Sequence, residues 1–565
     1  MRLHVAYFVC VALAALGCAD GGSSGQPGDG TGAPDPSTQA TDGSNPDSAA
    51  TTGGAGTAGT QDGVAGAGAD RSDGSVDAGM DAATDDPHDA ATDAMTSEPC
   101  AEGEHLDGDR CVADACPGEC EHNATRCADG ALRRCIPSGE CWAWTTPASC
   151  GAAGCDGERC TALGPGVSVQ QWGTDESDTV YGLAMGAGPE LLVVGAVWGS
   201  LDGALPAGSS DTFLASRGPD AGSNWSRQRG TSGRDVANAV ARLSTGEIFV
   251  GGEAAGSLET GAGGLTDLFV TKWSSSGEYQ WDARWGATGP MRESLLALEL
   301  GPGGTIYAAG ATEGDIDGDG GDSHAGSFDA FLTRLNADGG VVWSRQWGDQ
   351  DYDAATGVAL GSGGELYLVG YTEGDLDGQD NAGARDAFVQ RRAAADGDVV
   401  WTVLLGSGGS DEARAVWVSA SDEIFVTGHA GGDLGGGGTG GAFLAKLAAN
   451  GDVDWVEQWG PGGTRPWALE PGTDGELFVG GATTGSIDGQ QAAGDDDAFV
   501  SKWTYAGQTR DRPWSRQVGT AETEGVYGLA VHPGEAVYVG GATFGAFPGY
   551  TLQGEADLFV VRLEE

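Results

Sequence analysis

A closed ring of seven antiparallel sheets, an all-β seven-bladed β-propeller, is the fold class that this sequence predicts, on three observations. First, the chain repeats from Gly173 onward, each copy ending on a tryptophan followed five residues later by glycine: Trp225 with Gly230, Trp281 with Gly286, Trp343 with Gly348, Trp401 with Gly406, Trp455 with Gly460 and Trp514 with Gly519. A period of 54 to 62 residues between those glycines marks one supersecondary unit used again and again. Second, each copy carries four short apolar strand signals separated by turn residues. Third, a seventh copy starts at Thr520 and stops at Glu565 short of its tryptophan element, while the missing piece stands in front as Val167-Ser-Val-Gln-Gln-Trp-Gly173. A last unit completed by the N-terminal strand closes the circle and leaves no sheet edge open.

Ahead of the ring the composition changes three times. Residues 1–17 carry Arg2 and then an apolar run from Val5 to Leu16, too short to span a bilayer and laid out as a secretory signal. The run ends in Ala15-Leu16-Gly17-Cys18, which resembles the lipobox of bacterial lipoproteins, with Ala15 where leucine is usual. That resemblance implies a diacylated Cys18 as the new N-terminus. It also implies delivery to the outer membrane, since Ala19 stands where an aspartate would retain many such proteins at the inner one. An ordinary secretory signal is the alternative. Two or three acyl chains give a stable membrane anchor where one does not.

Residues 18–99 form the second zone. Fourteen aspartates and no aromatic residue, in a Gly/Ala/Ser/Thr/Pro background, cannot bury enough apolar surface to offset chain entropy, so a disordered acidic tether is expected. The net charge of −55 fits solubility and self-repulsion, with a cationic partner as the other reading. Against 83 acidic residues, 28 basic ones exclude a nucleic-acid partner, because no phosphate-binding face can be assembled easily from them.

The third zone, residues 100–160, holds ten of the twelve cysteines: Cys100, Cys111, Cys116, Cys120, Cys127, Cys135, Cys141, Cys150, Cys155 and Cys160. An even number in a short stretch behind an export signal reads as a disulfide module whose pairing spacing does not reveal. Zinc competes weakly, because no Cys-x-x-Cys pair occurs and only His105 and His122 are near. The run from Cys127 to Trp144 is loosely similar to cysteine-rich modules of bacterial surface lipoproteins, which implies no activity.

Residues 161–565 are the propeller, and blade 3 shows how one blade is written. Its strand signals are Ser294-Leu-Leu-Ala-Leu-Glu-Leu300, Thr305-Ile-Tyr-Ala-Ala309, Asp329-Ala-Phe-Leu-Thr-Arg-Leu335 and Val341-Val-Trp-Ser-Arg-Gln346, with glycine turns between them. An aspartate opens the third strand in six copies (Asp211, Asp267, Asp329, Asp386, Asp497, Asp557), with Gly441 in the fifth, and a phenylalanine always follows two residues later. A residue set present in every blade is a packing solution, since a catalytic site needs one constellation and not seven. The phenylalanines and repeated tryptophans are therefore expected in the core, and the aspartates as caps on loop N–H groups.

Leu529-Ala-Val, then Ala536-Val-Tyr-Val-Gly-Gly-Ala-Thr543, then Asp-x-Phe-x-x-Lys/Arg and Gly-x-x-x-Trp together resemble the SBBP family (seven-bladed beta-propeller repeat) over residues 167–565. The resemblance implies an exported bacterial protein without an established enzymatic activity. Arg284 and Leu404 depart from the pattern, standing where the other copies carry glutamine.

Three places invite chemistry. Asp315, Asp317, Asp319 and Asp322 in the blade 3 loop alternate like the opening of a calcium loop, but Gly326 stands where a bidentate glutamate would close an EF-hand. A looser, weak calcium site and a plain Asp/Gly turn both remain open. The residues before the terminal glycines include Trp172, Trp285, Trp347 and Trp459, which are expected to be buried, with stacking on sugars or peptides as the alternative. No nucleophile–base motif occurs in the ring, and a carboxylate pair of glycosidase type can be neither located nor dismissed. The expected function is a non-enzymatic, lipid-anchored cell-envelope protein offering its propeller to an unknown protein or glycan ligand. The alternatives are an extracellular hydrolase of polysaccharide or peptide using propeller-face carboxylates, and a scaffold for envelope assembly.

Overall fold

The structure, a computed structural model, describes residue 163, residues 166–564 apart from 187, 219–221, 257–264, 317, 319–326, 436, 474, 508, 533 and 535, and short strands between residues 104 and 160. The signal segment, Cys18, the tether and Cys100, Cys116, Cys120 and Cys150 lie outside the described residues, as do the side chains of the other six module cysteines. The chain falls into two units, Asp20–Asp114 and Ala115–Glu565 with Met1–Ala19. In the first, strands Glu104–Asp107 and Arg110–Ala113 pair antiparallel. In the second, the backbone before the ring forms a small sheet from Thr125–Ala128, Ala131–Ser138, Cys141–Trp144 and Ala148–Ser149.

The ring consists of seven four-stranded antiparallel sheets, each ordered as the chain runs. Blade 1 is Asp178–Met185, Leu191–Val197, Asp211–Arg217 and Ser223–Arg229, and blades 2 to 6 follow at residues 235–285, 293–347, 353–405, 412–459 and 464–518. Blade 7 is Glu524–His532, Ala536–Thr543 and Asp557–Glu564, and its fourth strand is Val167–Trp172, in register from Leu558 opposite Trp172 to Leu563 opposite Val167. The expected closure is the observed one. The seam is also held by side chains, for Gln171 Nε2 donates to Asp557 Oδ2 at 2.9 Å and Tyr550 Oη to the Val169 carbonyl at 2.9 Å.

Blades stack face to face, so second strands such as Leu191–Val197 and Leu366–Thr372 are buried at every residue and read as unbroken apolar runs, not alternating ones. The seven phenylalanines lie between blades: Phe269 of blade 2 packs on Leu192, Val194 and Leu214 of blade 1, and none of the seven is more than 2% exposed. The third-strand aspartates cap as expected where their loops are described. Asp211 accepts from the Ala207 N–H at 2.9 Å, Asp386 from Ala382 at 2.8 Å and Asp497 from Ala493 at 2.7 Å. The repeated glutamine is their partner, donating to Asp211, Asp329 and Asp497 at 2.7–2.9 Å. In blade 5, where Gly441 replaces the aspartate, Gln458 still donates to the Gly432 carbonyl, as Gln228 and Gln517 do to Gly199 and Gly485.

The terminal glycine of each repeat now has a physical reason. At Gly173, Gly230, Gly286, Gly348 and Gly519 it sits between the third-strand carboxylate of one blade and an acid that opens the first strand of the next; Gly406 lies against Asp386, and Gly460, where Gly441 and Thr464 replace the two acids, lies against Thr464. A Cβ on Gly519 would lie 2.0 Å from Asp497 Oδ1 and 2.7 Å from Glu524 Oε2. The opening acid caps the turn that joins two blades: the Thr231 N–H donates to Asp235 at 2.6 Å, Ser407 to Asp411 at 2.6 Å and Thr520 to Glu524 at 2.7 Å.

Each first strand bulges at one fixed place. Registers slip between Val180 and Gly182, Ala237 and Ala239, Leu295 and Ala297, Ala355 and Gly357, Ala413 and Ala415, Pro466 and Ala468, and Val526 and Gly528. Opposite each bulge the second strand carries glycine, because the bulged chain brings its carbonyl close: a Cβ on Gly370 would lie 1.9 Å from the Ala354 oxygen. Gly370→Ala is therefore expected to lower stability by about 2–3 kcal/mol, read as a lower chemical-denaturation midpoint at unchanged slope. An unaltered midpoint would show that the bulge gives way freely.

Candidate functional site: the channel mouth

The bulges decide what faces the axis. One residue per blade is turned out of the ladder, three positions after the first-strand opening: Tyr181, Asn238, Leu296, Thr356, Arg414, Trp467 and Tyr527. All seven line one cavity of about 160 Å³ at the mouth of the central channel, together with Arg234, Glu253 and Ser294. These seven equivalent positions carry six residue types, so the ring they form is asymmetric.

The ring divides into two arcs. Across blades 5, 6, 7 and 1 runs an aromatic arc: the Arg414 guanidinium lies 4.1 Å over Trp467, the Trp467 and Tyr527 rings meet edge-on at 5.4 Å, and Tyr527 and Tyr181 tilt together at 5.3 Å. Burial pushes both tyrosine hydroxyls up, so they stay protonated. The facing arc is polar on either side of Leu296. Asn238 Nδ2 donates to Glu253 Oε2 at 2.7 Å and to the Leu295 carbonyl at 2.9 Å, tying blade 2 to blade 3. Thr356 Oγ1 donates to the Ala413 carbonyl at 2.7 Å, tying blade 4 to blade 5.

Both arginines of the mouth already carry a carboxylate. Arg234 pairs with Glu253 at 3.3 Å, and Arg414 pairs with Glu412, which Arg385 also holds. Burial alone would push Glu412 up, but the two guanidinium groups overcome it and hold the carboxyl at about 2. Charge at the mouth is thus compensated in place.

Below the mouth the channel, a cavity of about 400 Å³, is lined by Gly182, Ala239, Ala297, Gly357, Ala415, Ala468 and Gly528. First strands crowd at the axis, and a Cβ on Gly528 would lie 2.9 Å from Leu183 Cγ. Beyond this collar the channel is lined by Glu299, Trp417 and Glu470. Burial raises Glu299 to about 7, and burial with the charge of Glu299 raises Glu470 to about 7.

Of the residues singled out from the sequence, those that are described lie elsewhere. Asp315 accepts from the Gly318 N–H at 2.6 Å, as an Asp/Gly turn does, while Asp317, Asp319 and Asp322 fall outside the described residues. Among the described residues no three His, Cys, Asp or Glu side chains converge as a metal would require. Trp172, Trp285, Trp347 and Trp459 sit on fourth strands, the outermost of each blade, and not at the channel. Trp285 and Trp459 are buried, and Trp172 and Trp347 are covered by Arg217 at 3.9 Å and Arg392 at 3.6 Å from neighbouring blades. Burial, not stacking on a ligand, is their role. The mouth ring escaped sequence reading because its seven positions carry six residue types, and such variation does not single it out: the first-strand position two residues earlier carries seven types, from Thr179 to Gly525.

No protein-family profile matches the chain. A stretch of 112 residues, 19% of the chain, is 29% identical to the Regulatory protein FlaEY of Caulobacter vibrioides, of which the match spans 11%. Among solved structures the chain is similar to the Pan2 WD40 domain of Neurospora crassa (11% identity, 68% of this chain, 89% of that one, TM-score 0.40). It is also similar to a protein of unknown function from Bacteroides caccae (12%, 61% and 94%, TM-score 0.32) and to puromycin hydrolase (12%, 66% and 51%, TM-score 0.39). Likenesses at this level carry no argument about activity.

Proposed function

We propose that this is a lipid-anchored cell-envelope protein of the SBBP type whose propeller is a binding scaffold, with the ligand seated at the channel mouth. The observation that carries the reading is the ring of seven bulge residues, where the repeat gives way to a single asymmetric constellation with aromatic and polar walls. The resemblance of Ala15-Leu16-Gly17-Cys18 to a lipobox supports the anchor. The test has two parts. Cys18→Ser is expected to shift the protein from the detergent phase to the aqueous phase. The full chain, screened by thermal shift against glycan, peptide and small-ion libraries, is expected to yield stabilising ligands through linkage. Stabilisation that vanishes in Trp467→Ala places the ligand at the mouth; stabilisation that survives it, or silence from all three libraries, refutes the site.

One observation favours a second reading, a hydrolase of polysaccharide or peptide. Glu299 and Glu470 line the deeper channel, and both are raised to about 7, the range suited to a general acid. Turnover of chromogenic glycosides or peptides that Glu299→Gln abolishes would decide for it.

A further inference from the structure

We infer that the ligand of the mouth is a neutral saccharide, one pyranose ring of a glycan laid against Trp467 and Tyr527 and hydrogen-bonded by the opposite arc. This rests on the reading of the mouth as a binding site and adds the ligand's chemical class. Size comes first. A protein cavity of about 150 Å³ admits a single six-membered ring; the mouth offers about 160 Å³ and is continuous with the channel cavity of about 400 Å³, with which it shares Trp467 and Tyr527, so one ring and its substituents have room there.

Charge comes second. Arg414 is committed to Glu412 and to the face of Trp467, and Arg234 to Glu253. A phosphate or carboxylate ligand would have to compete with carboxylates that are already in place, and an ammonium ligand would meet two guanidinium groups. Neither gains from the mouth what it loses in hydration. A neutral ligand avoids both costs.

The third argument is the division into arcs. Trp467, Tyr527 and Tyr181 form one continuous aromatic wall. Asn238, Ser294, Glu253 and Thr356 face it with polar groups, with Leu296 standing among them. Both Asn238 amide hydrogens are spent on Glu253 and the Leu295 carbonyl, which leaves the amide oxygen as an acceptor. An apolar ring would strip water from this arc without replacing its hydrogen bonds. A pyranose suits both walls at once, because its C–H groups lie on its faces and its hydroxyls around its rim.

The full chain is tested by saturation-transfer NMR and calorimetry with the methyl glycosides of glucose, galactose, mannose and N-acetylglucosamine, alongside inorganic phosphate, putrescine and an Ala-Trp-Ala tripeptide. At least one glycoside is expected to bind, with its C–H protons receiving the strongest transfer. Trp467→Ala is expected to weaken it roughly tenfold or more, and Tyr527→Phe, which keeps the ring and removes a hydroxyl, only a few-fold. Should Trp467→Ala not fold, Tyr527→Phe and Asn238→Asp carry the comparison. No saturable binding by any glycoside, or binding indifferent to these variants, overturns the inference. Tripeptide, phosphate or putrescine binding that Trp467→Ala abolishes also overturns it, while leaving the mouth as a binding site intact. Silence from every probe fails both.

Discussion

Deleting residues 161–173 is expected to open the ring and remove most of its stability. The deletion takes away the fourth strand of blade 7, in which Val167 and Val169 are 9% and 6% exposed and pack into the cluster of Phe559, Val561 and Val539. It also removes Trp172, which lies under the Arg217 guanidinium of blade 1 and so joins the last blade to the first. At about 1.5–3 kcal/mol for each buried apolar side chain, the two valines account for roughly 3–6 kcal/mol, to which the half-buried Trp172 adds. Native stability as a whole is about 5–15 kcal/mol. Loss of Gln171 leaves the wholly buried Asp557 without that donor, and the strand Asp557–Glu564 becomes an unpaired edge open to other chains. The expected record is a melting temperature lowered severely, with aggregation in light scattering. Addition of a synthetic 161–173 peptide should restore part of the loss. A monomer that melts with the intact protein would show that the ring does not depend on this strand.

The second large effect is an unusual dependence on pH: the propeller is expected to grow more stable as pH falls from about 8.5 to about 5.5. At the seams, burial raises Asp178 to about 7, Asp235 to about 6, Glu293 to about 8, Asp353 to about 7 and Glu524 to about 7, with a neighbouring carboxylate adding to each. In the channel Glu299 and Glu470 are raised to about 7. A carboxyl raised in the folded state favours folding while protonated. Its contribution is full below the unfolded value, near 4, and is lost as pH climbs through the folded value. Glu412 runs the other way. Held at about 2, it contributes above its unfolded value and loses that contribution only as pH falls below about 4.5. Seven raised carboxyls outweigh the single lowered one, so stability should go on rising until about pH 4, with a melting temperature at pH 5 about 5–10 °C above that at pH 8.5.

The net charge of −55 pushes in the same direction by general repulsion, and salt separates the two causes. Repulsion between exposed charges is screened at high ionic strength, whereas the cost of burying a seam carboxylate is not. The rise should persist in concentrated salt. Glu299→Gln with Glu470→Gln should gain stability at pH 8.5 and little at pH 5. Because water reaches the channel, we expect only about 1 kcal/mol from each. A melting temperature that stays flat or falls on acidification would mean that these carboxylates remain ionised at the seams.

What the sequence determined by itself is whatever every blade repeats. Seven copies of one unit, completed by a displaced strand, require closure whatever the details, because only a closed ring leaves Asp557–Glu564 paired. The phenylalanine and tryptophan positions were legible for the same reason: a residue demanded by a blade seam is demanded at each seam. The terminal glycine was visible as a pattern, but its cause was not. The carboxylates on either side of it belong to successive repeats, and only folding brings them against one backbone atom. The mouth was beyond the sequence altogether. Tyr181, Asn238, Leu296, Thr356, Arg414, Trp467 and Tyr527 are separated by more than fifty residues each and share no residue type that would mark them as a set. They become neighbours because a bulge turns one side chain per blade out of its ladder and closure aims all seven at one axis. Repetition specifies a ring through local packing rules that each unit obeys alone, whereas a binding site on its axis is a single meeting of unlike residues, decided only when the whole circle is complete.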